Sequence, residues 1–156
     1  MKRFAARASV VAAGLAALLL GVVVSQAQMQ IGSGDPVADR QRLMKLNGGS
    51  AKDLNDKLKA GNIEAMAVNA ETIAINAQHI PMLFPKGSLT DKSKAKADIW
   101  EKWSEFESAS KNLEVKAAEV RDAARAKDQA KVEALMKDFG RQACGTCHTP
   151  FRQPQN

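Results

Sequence analysis

Between residues 99 and 124, an apolar or small side chain recurs at alternating steps of four and three residues. Such steps bring side chains to one face of an α-helix, which turns once every 3.6 residues. No stretch of the chain shows the alternation of period two that is typical of a half-buried strand. The chain is therefore expected to fold by packing helices against one another. The members of this row are Ile99, Trp103, Phe106, Ser110, Leu113, Ala117, Val120 and Ala124.

Three other stretches have the same spacing and are bounded by residues that start or stop helices. Asp35 and Pro36 form a typical N-cap followed by proline at the first helical position, and Gly61 is a typical stop. Asp128 can cap the fourth stretch in the same way. The inner rows consist of Val37, Met44, Ala51 and Leu58; of Ile63, Met66, Ala70, Ile73, Ala77 and Ile80; and of Val132, Leu135, Phe139, Ala143 and Thr146. The predicted helices cover about residues 36–60, 62–80, 94–126 and 128–150.

Four amphipathic segments, joined mostly by short connections, favour one all-α architecture. We predict an antiparallel up-down-up-down four-helix bundle within a domain of residues 28–156. A helical repeat array is the alternative for a chain of this kind. It is disfavoured because the four segments share no sequence similarity with one another.

The first 27 residues have the layout of a secretory leader. Lys2, Arg3 and Arg7 precede an apolar run at residues 10–24, and small residues precede a cut after Ala27. The 15 residues of the run fall short of the roughly 17–25 that a membrane-spanning helix needs, which disfavours an uncleaved anchor. We predict a cleaved signal peptide at residues 1–27 and a soluble protein in the periplasm, with no stable membrane insertion after cleavage.

Charge and composition argue against a nucleic-acid-binding protein. The formal net charge is +6, but the leader contains three positive and no negative residues, so +3 remains on the mature chain. Aromatic residues make up only 4% of the chain, with no tyrosine, which leaves little for base stacking. The sequence therefore predicts no nucleic-acid partner.

The most specific feature of the sequence is the run "CGTCH", which contains both cysteines of the chain. On a helix, Cys144, Cys147 and His148 share one face, because their spacings are three and four residues. Two thiols at this spacing can add across the two vinyl groups of a porphyrin, and the following imidazole can then reach the iron. Cys-x-x-Cys-His is the attachment signature of c-type haem. We therefore predict one covalently bound haem c.

Three other uses of the two thiols are disfavoured. A thioredoxin-like dithiol also has Cys-x-x-Cys, but it belongs to a strand–helix context that this sequence lacks. A structural zinc site needs four ligands, and His79 is the only histidine besides His148. A plain disulfide of an exported protein would leave the adjacent His148 unexplained.

The bundle topology limits the residues that can lie on the distal side of the haem. The end of the fourth helix lies beside the start of the first, the end of the second and the start of the third. Three distal ligands stay open on this basis: Met44, Met82 and His79. Met66 lies at the opposite end, and Met136 lies about 18 Å back along the fourth helix itself. The side chains expected around the haem are Leu43, Met44, Met82, Phe84, Trp100, Trp103 and Phe106.

Several stretches resemble one family, the cytochromes c-prime. The resemblance covers nearly the whole mature chain, including "LFP" after the second helix, "IW" early in the third and "CHTPFR" at the end. The stretch "RQRLMKLNGGS" in the first helix is similar to the low-spin branch, the cytochromes c-556, in which a methionine at this place binds the iron. By this resemblance His148 is the proximal ligand, Met44 is the distal ligand, and Cys144 and Cys147 hold the porphyrin.

The resemblance also suggests three further haem contacts. Arg40 with Gln41 is similar to the arginine–glutamine pair that lies near the haem propionates in the family. Arg152, one turn after His148, is expected on the proximal side. Without the resemblance, an exposed and solvated position is the ordinary expectation for either arginine.

The resemblance implies electron transfer rather than catalysis. Histidine and thioether ligation gives a low-spin iron that exchanges one electron with periplasmic redox proteins, and thioether ligation raises the reduction potential. No catalytic base, nucleophile or open metal site is visible, so we predict a protein that is not an enzyme. The alternative is a five-coordinate, high-spin protein that binds nitric oxide or carbon monoxide, if Met44 only packs. Members of the family often pair through the first two helices, so a homodimer is a further expectation.

Overall fold

The computed structural model describes residues 32–154, and the signal peptide predicted at residues 1–27 lies outside them. The described residues form four long helical segments, the last of which is built from three consecutive pieces. These residues contain no strand, only an isolated antiparallel bridge between Ala95 and Arg152. The helices are α1 (Pro36–Lys59), α2 (Met66–His79), α3 (Asp98–Glu101), α4 (Trp103–Arg125), α5 (Gln129–Met136) and α6 (Thr146–Phe151), with a 3₁₀ turn at Pro81–Leu83 and a π-helix at Gly140–Gly145.

The first helix has the ends that its sequence indicates. The side chain of Asp35 accepts hydrogen bonds from the amides of Val37 (2.9 Å) and Ala38 (3.0 Å), and Pro36 occupies the first turn. Beyond the other end, Gly61 has φ +70°, the left-handed conformation in which glycine carries no steric penalty. Val37 of the predicted inner row is buried, and Met44, Ala51 and Leu58 pack against the core; Leu54, which the predicted row did not include, is fully buried.

The second and third helices start later than the sequence indicated. Helix α2 begins at Met66 rather than near residue 62, after a turn. The third begins at Asp98 rather than residue 94, because the segment before it is extended and pairs with the C-terminal end of the chain. The amide of Lys96 donates to the carbonyl of Phe151 (3.0 Å), and that of Gln153 donates to the carbonyl of Lys94 (2.8 Å). A break at Lys102 (φ −116°, ψ 45°) then separates α3 from α4.

A π-helix lies in the fourth segment and includes Cys144, the first of the two cysteines. Its turns are wider than those of an α-helix and accommodate one extra residue. The prediction that Thr146 lies on the inner face is therefore wrong, since Thr146 is exposed. The inner row continues instead with Ala143, Cys147 and Phe151, each four residues from the last.

Helices α2 and α4 form the centre of the bundle and run antiparallel to each other. The buried hydroxyl of Ser110 on α4 donates to the carbonyl of Ala77 on α2 at 2.7 Å. At the other end of this pair, Arg125 bonds to Glu71 at 2.8 Å.

Candidate haem-binding site

A cavity of about 350 Å³ lies at the end of the bundle where the start of α1, the end of α2 and α6 meet. A smaller cavity of about 120 Å³ adjoins it, and four residues border both: Met44, Ile80, Cys147 and His148. The walls of the larger cavity are mostly apolar. They include Ile80, Phe84, Ile99, Phe106 and Phe151.

The cysteine pair and the histidine come together at the smaller cavity, as their helical spacing predicts. Cys144 and Cys147 are free thiols and are half-buried, as is His148. Burial raises the pKa of the Cys147 thiol to about 11, and the nearby Cys144 acts in the same direction. Burial also raises the pKa of Cys144. The two sulfurs therefore stay protonated near pH 7 until they are modified.

The imidazole of His148 is suited to bind a metal. Burial lowers its pKa, and the positive charge of Arg152 acts in the same direction. A neutral imidazole keeps a lone pair free, which is the form that coordinates iron. His148 thus faces the cavity as an available nitrogen ligand.

Of the three distal candidates, only Met44 borders the cavity. It is half-buried on α1. Met82 is 54% exposed and lines a separate groove with Trp100 and Trp103. His79 lines neither cavity, and its Nδ1 lies 2.8 Å from the carbonyl oxygen of Ile75 one turn earlier on its own helix.

Arg40 borders the larger cavity but is bound to the loop that follows α2. Only 4% of it is exposed, so the solvated position expected from composition alone is wrong. Its Nη1 donates to the carbonyl of Leu83 (3.2 Å) and the hydroxyl of Ser88 (2.9 Å). Its Nη2 donates to the carbonyl of Ser88 (2.8 Å) and the hydroxyl of Ser93 (2.6 Å). Burial lowers its pKa, and Asp35 partly offsets this. Arg40 therefore fastens this loop over the cavity.

Gln41 and Arg152 also border the larger cavity. Gln41 is exposed, and its Nε2 donates to the carbonyl of Lys92 at 2.9 Å. Arg152 is half-buried, and its backbone pairs with Ala95. Together with Lys45 and Lys94, Arg152 forms a cationic rim at the cavity. Such a rim suits the carboxylates of haem propionates.

The aromatic surroundings differ in part from the predicted set. Phe84 and Phe106 line the cavity, with ring centroids 4.8 Å apart. Trp103 lies behind Phe106, at 5.5 Å between centroids, and does not border the cavity. Trp100 also lies outside it and donates from Nε1 to the carbonyl of Phe84 at 3.0 Å. The two tryptophans therefore pack behind the aromatic wall of the cavity, and Met82 lies outside the cavity.

Several cavity residues escaped the sequence reasoning, among them Phe151, Ala95 and Lys94. Phe151 lies three residues after His148, and this helical spacing could have placed it on the same face. Ala95 and Lys94 gave no signal, because they reach the cavity only through the backbone pairing of the extended segment with the C-terminus.

A haem c fits the residues that surround the cavity. Two thiols at the attachment spacing, a neutral imidazole and a thioether border one apolar space, and cations stand at its rim. Among residues 32–154, no group of three or more His, Cys, Asp or Glu is placed so that these side chains alone could hold a metal ion. Within the same residues, no helix has the length and hydropathy needed to cross a membrane.

Comparison with known proteins gives a family and several relatives. A family model described as Cytochrome C' matches residues 35–152. Two proteins described as cytochrome c-554, both from Cereibacter sphaeroides, are 41% and 40% identical over 76 residues. The aligned part is 47% of this chain and 48% and 56% of the two relatives, so the chain matches about half the length of each.

Solved structures of cytochrome c' resemble the fold. The protein from Rubrivivax gelatinosus gives a TM-score of 0.67 at 19% identity, over 77% of this chain and 96% of that one. The protein from Thermochromatium tepidum gives 0.69 at 19%, over 76% and 95%. A nitric oxide complex of a variant from Alcaligenes xylosoxidans gives 0.68 at 21%, over 78% and 95%. At these identities the likeness shows the fold, and it confirms the predicted four-helix bundle.

The family model covers most of the chain and ends directly after the cysteine–histidine run. The fold, the two thiols and the cavity agree with it. The protein is therefore a member of the cytochrome c' family, and its cofactor is covalently bound haem c.

Proposed function

We propose that this protein carries one electron at a time between exported redox proteins, through a low-spin haem c held by His148 and Met44. The observation that carries the proposal is that these two side chains border the same two cavities as Cys147. They come from α6 and α1, the last and the first helix of the described residues. The haem iron supplies the one-electron chemistry when bound.

The surroundings of the site favour the reduced state. Met44 offers a thioether, which raises the reduction potential relative to a second imidazole. Ile80, Phe84 and Phe106 form an apolar wall that disfavours the additional positive charge of the oxidised centre. The haem in this site is therefore expected to have a moderate to high reduction potential.

The cationic rim gives the cofactor a fixed orientation in this proposal. Lys45, Lys94 and Arg152 border the larger cavity and would bind the propionates of a haem held there. Gln41 is close by and exposed, so it can contribute a neutral hydrogen bond. Arg40 contributes indirectly, because the hydrogen bonds of both its terminal nitrogens hold the loop.

Binding of a diatomic gas is the second candidate function. The structural neighbours include a nitric oxide complex, which is a property of the Alcaligenes protein. If Met44 did not bind the iron, the mostly apolar space that the two cavities share could admit a diatomic molecule. In neither reading does the protein act as an enzyme.

The visible spectrum of the purified holoprotein separates the two functions. Electron transfer predicts a sharp, split alpha band in the reduced protein and no change on addition of carbon monoxide. Met44→Ala should convert this spectrum to a broad, high-spin one that responds to carbon monoxide. Met82→Ala is the matched control and should leave the spectrum unchanged. A wild-type protein that already binds carbon monoxide would contradict the proposal, and the reverse result for the two variants would move the ligand to Met82.

We further propose that two copies pair through α1 and α2 in the periplasm. Leu46, Val68 and Ile75 on these two helices are exposed by 57%, 69% and 47%, so apolar side chains of both helices are available to a second copy. A twofold symmetric pair would bury all three residues twice. The export signal at residues 1–27 supports the periplasm as the place of action.

A further inference from the structure

Six cations lie at the larger cavity and at the groove beside it, and together they define a cationic surface. The three residues of the cationic rim border the cavity, and Lys86 borders the groove. The carbonyl of Lys92 accepts a hydrogen bond from Gln41, which borders the cavity, at 2.9 Å. The Nζ of Lys96 donates to the carbonyl of Thr149 on α6 at 3.3 Å. The cationic surface therefore consists of Lys45, Lys86, Lys92, Lys94, Lys96 and Arg152.

None of these six cations forms an ion pair with another described residue. Many cations on the sides of the bundle do, with carboxylates of their own helix or of a neighbouring one. Residues 86–97 contain four lysines and a single carboxylate, Asp91, which is exposed. No carboxylate of residues 32–154 borders the larger cavity. The positive charge of the cationic surface is therefore largely uncompensated.

The charge of the predicted mature chain is concentrated at this end of the bundle. The formal net charge of residues 28–156 is +3, and removal of the six cations would leave −3. The two propionates of a haem would offset only part of the six positive charges. A protein with its charges separated in this way attracts and orients an approaching charged molecule by its field. An acidic molecule would therefore approach the end of the bundle that contains the haem cavity.

An apolar groove of about 350 Å³ adjoins the cationic surface. Phe84 borders both this groove and the larger cavity, so the two share a wall. Met82 is 54% exposed at the groove, and Trp100 and Trp103 line it as well. Protein interfaces combine an apolar centre, rich in aromatic residues, with a polar rim. The groove therefore offers a place for an apolar side chain of a partner, with Lys86 beside it for a carboxylate.

We propose that the cationic surface and the groove together form the docking surface for an acidic redox protein, one of whose exposed apolar side chains enters the groove. The proposal rests on the proposed electron transfer and specifies the chemistry of the partner. Carboxylates of the partner would pair with the cations, which speeds association and orients the partner towards the haem cavity. A folded protein is favoured over a lipid surface because a concave groove admits a protruding side chain, whereas lipid headgroups form a flat layer.

Two oxidants of opposite charge test the cationic surface. The reduced holoprotein gives one electron to anionic ferricyanide, which becomes ferrocyanide, or to cationic tris(phenanthroline)cobalt(III), which becomes cobalt(II). We expect Lys86→Glu combined with Lys92→Glu to lower the ratio of the ferricyanide rate constant to the cobalt rate constant at least about fivefold at low salt. The ratio largely cancels any change in reduction potential. At about 1 M salt, where the Debye length is about 3 Å, the effect should vanish. Both lysines are exposed and lie outside the haem cavities, so haem binding should not change.

Lys59→Glu combined with Lys131→Glu is the matched control, because it changes the net charge equally at exposed residues away from the cavities. Lys59 is the last residue of α1 and lies about 21 Å along the helix from Lys45. The ratio should change less than about twofold in this control. Equal changes in the two double variants would overturn the docking surface and leave the proposed function intact. A reduced holoprotein that reacts with neither oxidant would overturn the proposed function, and the redox role of this surface with it.

NMR of the holoprotein with two peptides tests the groove. One peptide has glutamates around a central leucine, and the other has serine in place of the leucine. Trp100 and Trp103 are the only tryptophans of the chain, so their indole N–H signals report on the groove. We expect the leucine peptide to shift these signals at a concentration at least about threefold lower than the serine peptide, and Met82→Ser to remove most of this preference.

Equal effects of the two peptides would overturn the role of the groove. Vesicles of anionic phosphatidylglycerol separate a protein partner from a lipid one. Sedimentation of the holoprotein with these vesicles, together with no response to either peptide, would assign the cationic surface to lipid headgroups and overturn the proposal. A response to the leucine peptide without sedimentation supports the acidic protein.

Discussion

The guanidinium of Arg40 lies over the ring of Phe84, with Cζ 4.6 Å from the ring centroid. The same guanidinium binds Leu83, Ser88 and Ser93 through four hydrogen bonds. One side chain of α1 thus fixes both an aromatic wall residue of the cavity and the loop that follows it. The loop has no regular structure between residues 84 and 94. It is therefore held by hydrogen bonds to this side chain rather than by regular backbone hydrogen bonding.

Replacement of Arg40 should lower the free energy of unfolding. Arg40→Ala leaves the acceptors at Leu83 and Ser88 without their partner, and we expect a loss of about 2–4 kcal/mol in the free energy of unfolding. Arg40→Lys should lose nearly as much, because an ammonium group cannot reproduce the planar fork. Urea unfolding followed by circular dichroism measures both. Arg42→Ala, at a residue that is 59% exposed, is the control and should change stability by less than about 0.5 kcal/mol. Equal stability of Arg40→Ala and Arg42→Ala would show that the loop is held by other contacts.

Gly48 should tolerate only a small side chain when haem is present. A Cβ at Gly48 would meet no protein atom within 4 Å, yet this residue borders the smaller cavity. Gly48→Leu is therefore expected to fill space that the haem needs and to lower the haem content of the purified protein. Gly49→Leu is the matched control, because the neighbouring position is equally open but lies outside both cavities. The ratio of haem absorbance to protein concentration checks the prediction. Equal ratios for the two variants would mean that the haem does not extend to α1 at this point.

The thiols of the haem-free chain should react slowly at neutral pH. Burial raises the pKa of Cys147 from 9.0 to about 11, so the reactive thiolate is scarce below pH 9. The folded chain then binds its thiol protons more tightly than the unfolded one. This contribution to stability is complete below about pH 9 and is lost as the pH rises through 11. Alkylation by iodoacetamide at pH 7 to 10, with the urea-unfolded chain as reference, measures the effect. Equal rates for both forms at pH 8 would show that the cavity does not exist before haem is attached.

Negative charges at Val68 and Ile75 should separate the proposed pair of copies. Val68→Glu combined with Ile75→Glu places two like charges opposite their symmetry mates, and we expect the dissociation constant to rise at least tenfold. Light scattering after size-exclusion chromatography gives the mass. Val115→Glu, on α4 and 42% exposed, is the control for a general effect of added charge. A wild-type protein of monomer mass at micromolar concentration would contradict the pairing.

The sequence allowed the architecture and the attachment site to be predicted, because both depend on local spacing. Helical periodicity specifies which residues share a face, and Cys144, Cys147 and His148 face the cavity as that rule requires. The topology of a bundle then limited the distal ligand to three residues. The topology could not distinguish Met44 from Met82, because both lie near the same end of the bundle. In the structure, Met44 borders the larger cavity and Met82 lines a separate groove.

The features that the sequence could not show depend on contacts between distant segments. The partners of Arg40 lie 43 to 53 residues away, and two of them are backbone carbonyls, which any residue provides. The late start of the third helix follows from pairing with residues 151 and 153, which no propensity of residues 94–97 reveals. The outward position of Thr146 follows from a wide helical turn that has no distinctive residue pattern.

The π-helix at Gly140–Gly145 determines where the length of this chain can vary. An α-helix advances about 100° per residue, whereas the wide turn, which includes Cys144, absorbs one whole residue of rotation before Cys147 and His148 are reached. Deletion of a single residue within this turn would close it into an ordinary helix and leave the porphyrin attachment pointing the same way. The same deletion in α5, where no slack exists, would swing the thiols and imidazole about 100° away from Met44. Gaps in alignments with relatives are therefore to be expected just ahead of the cysteines and not elsewhere in the last helical segment.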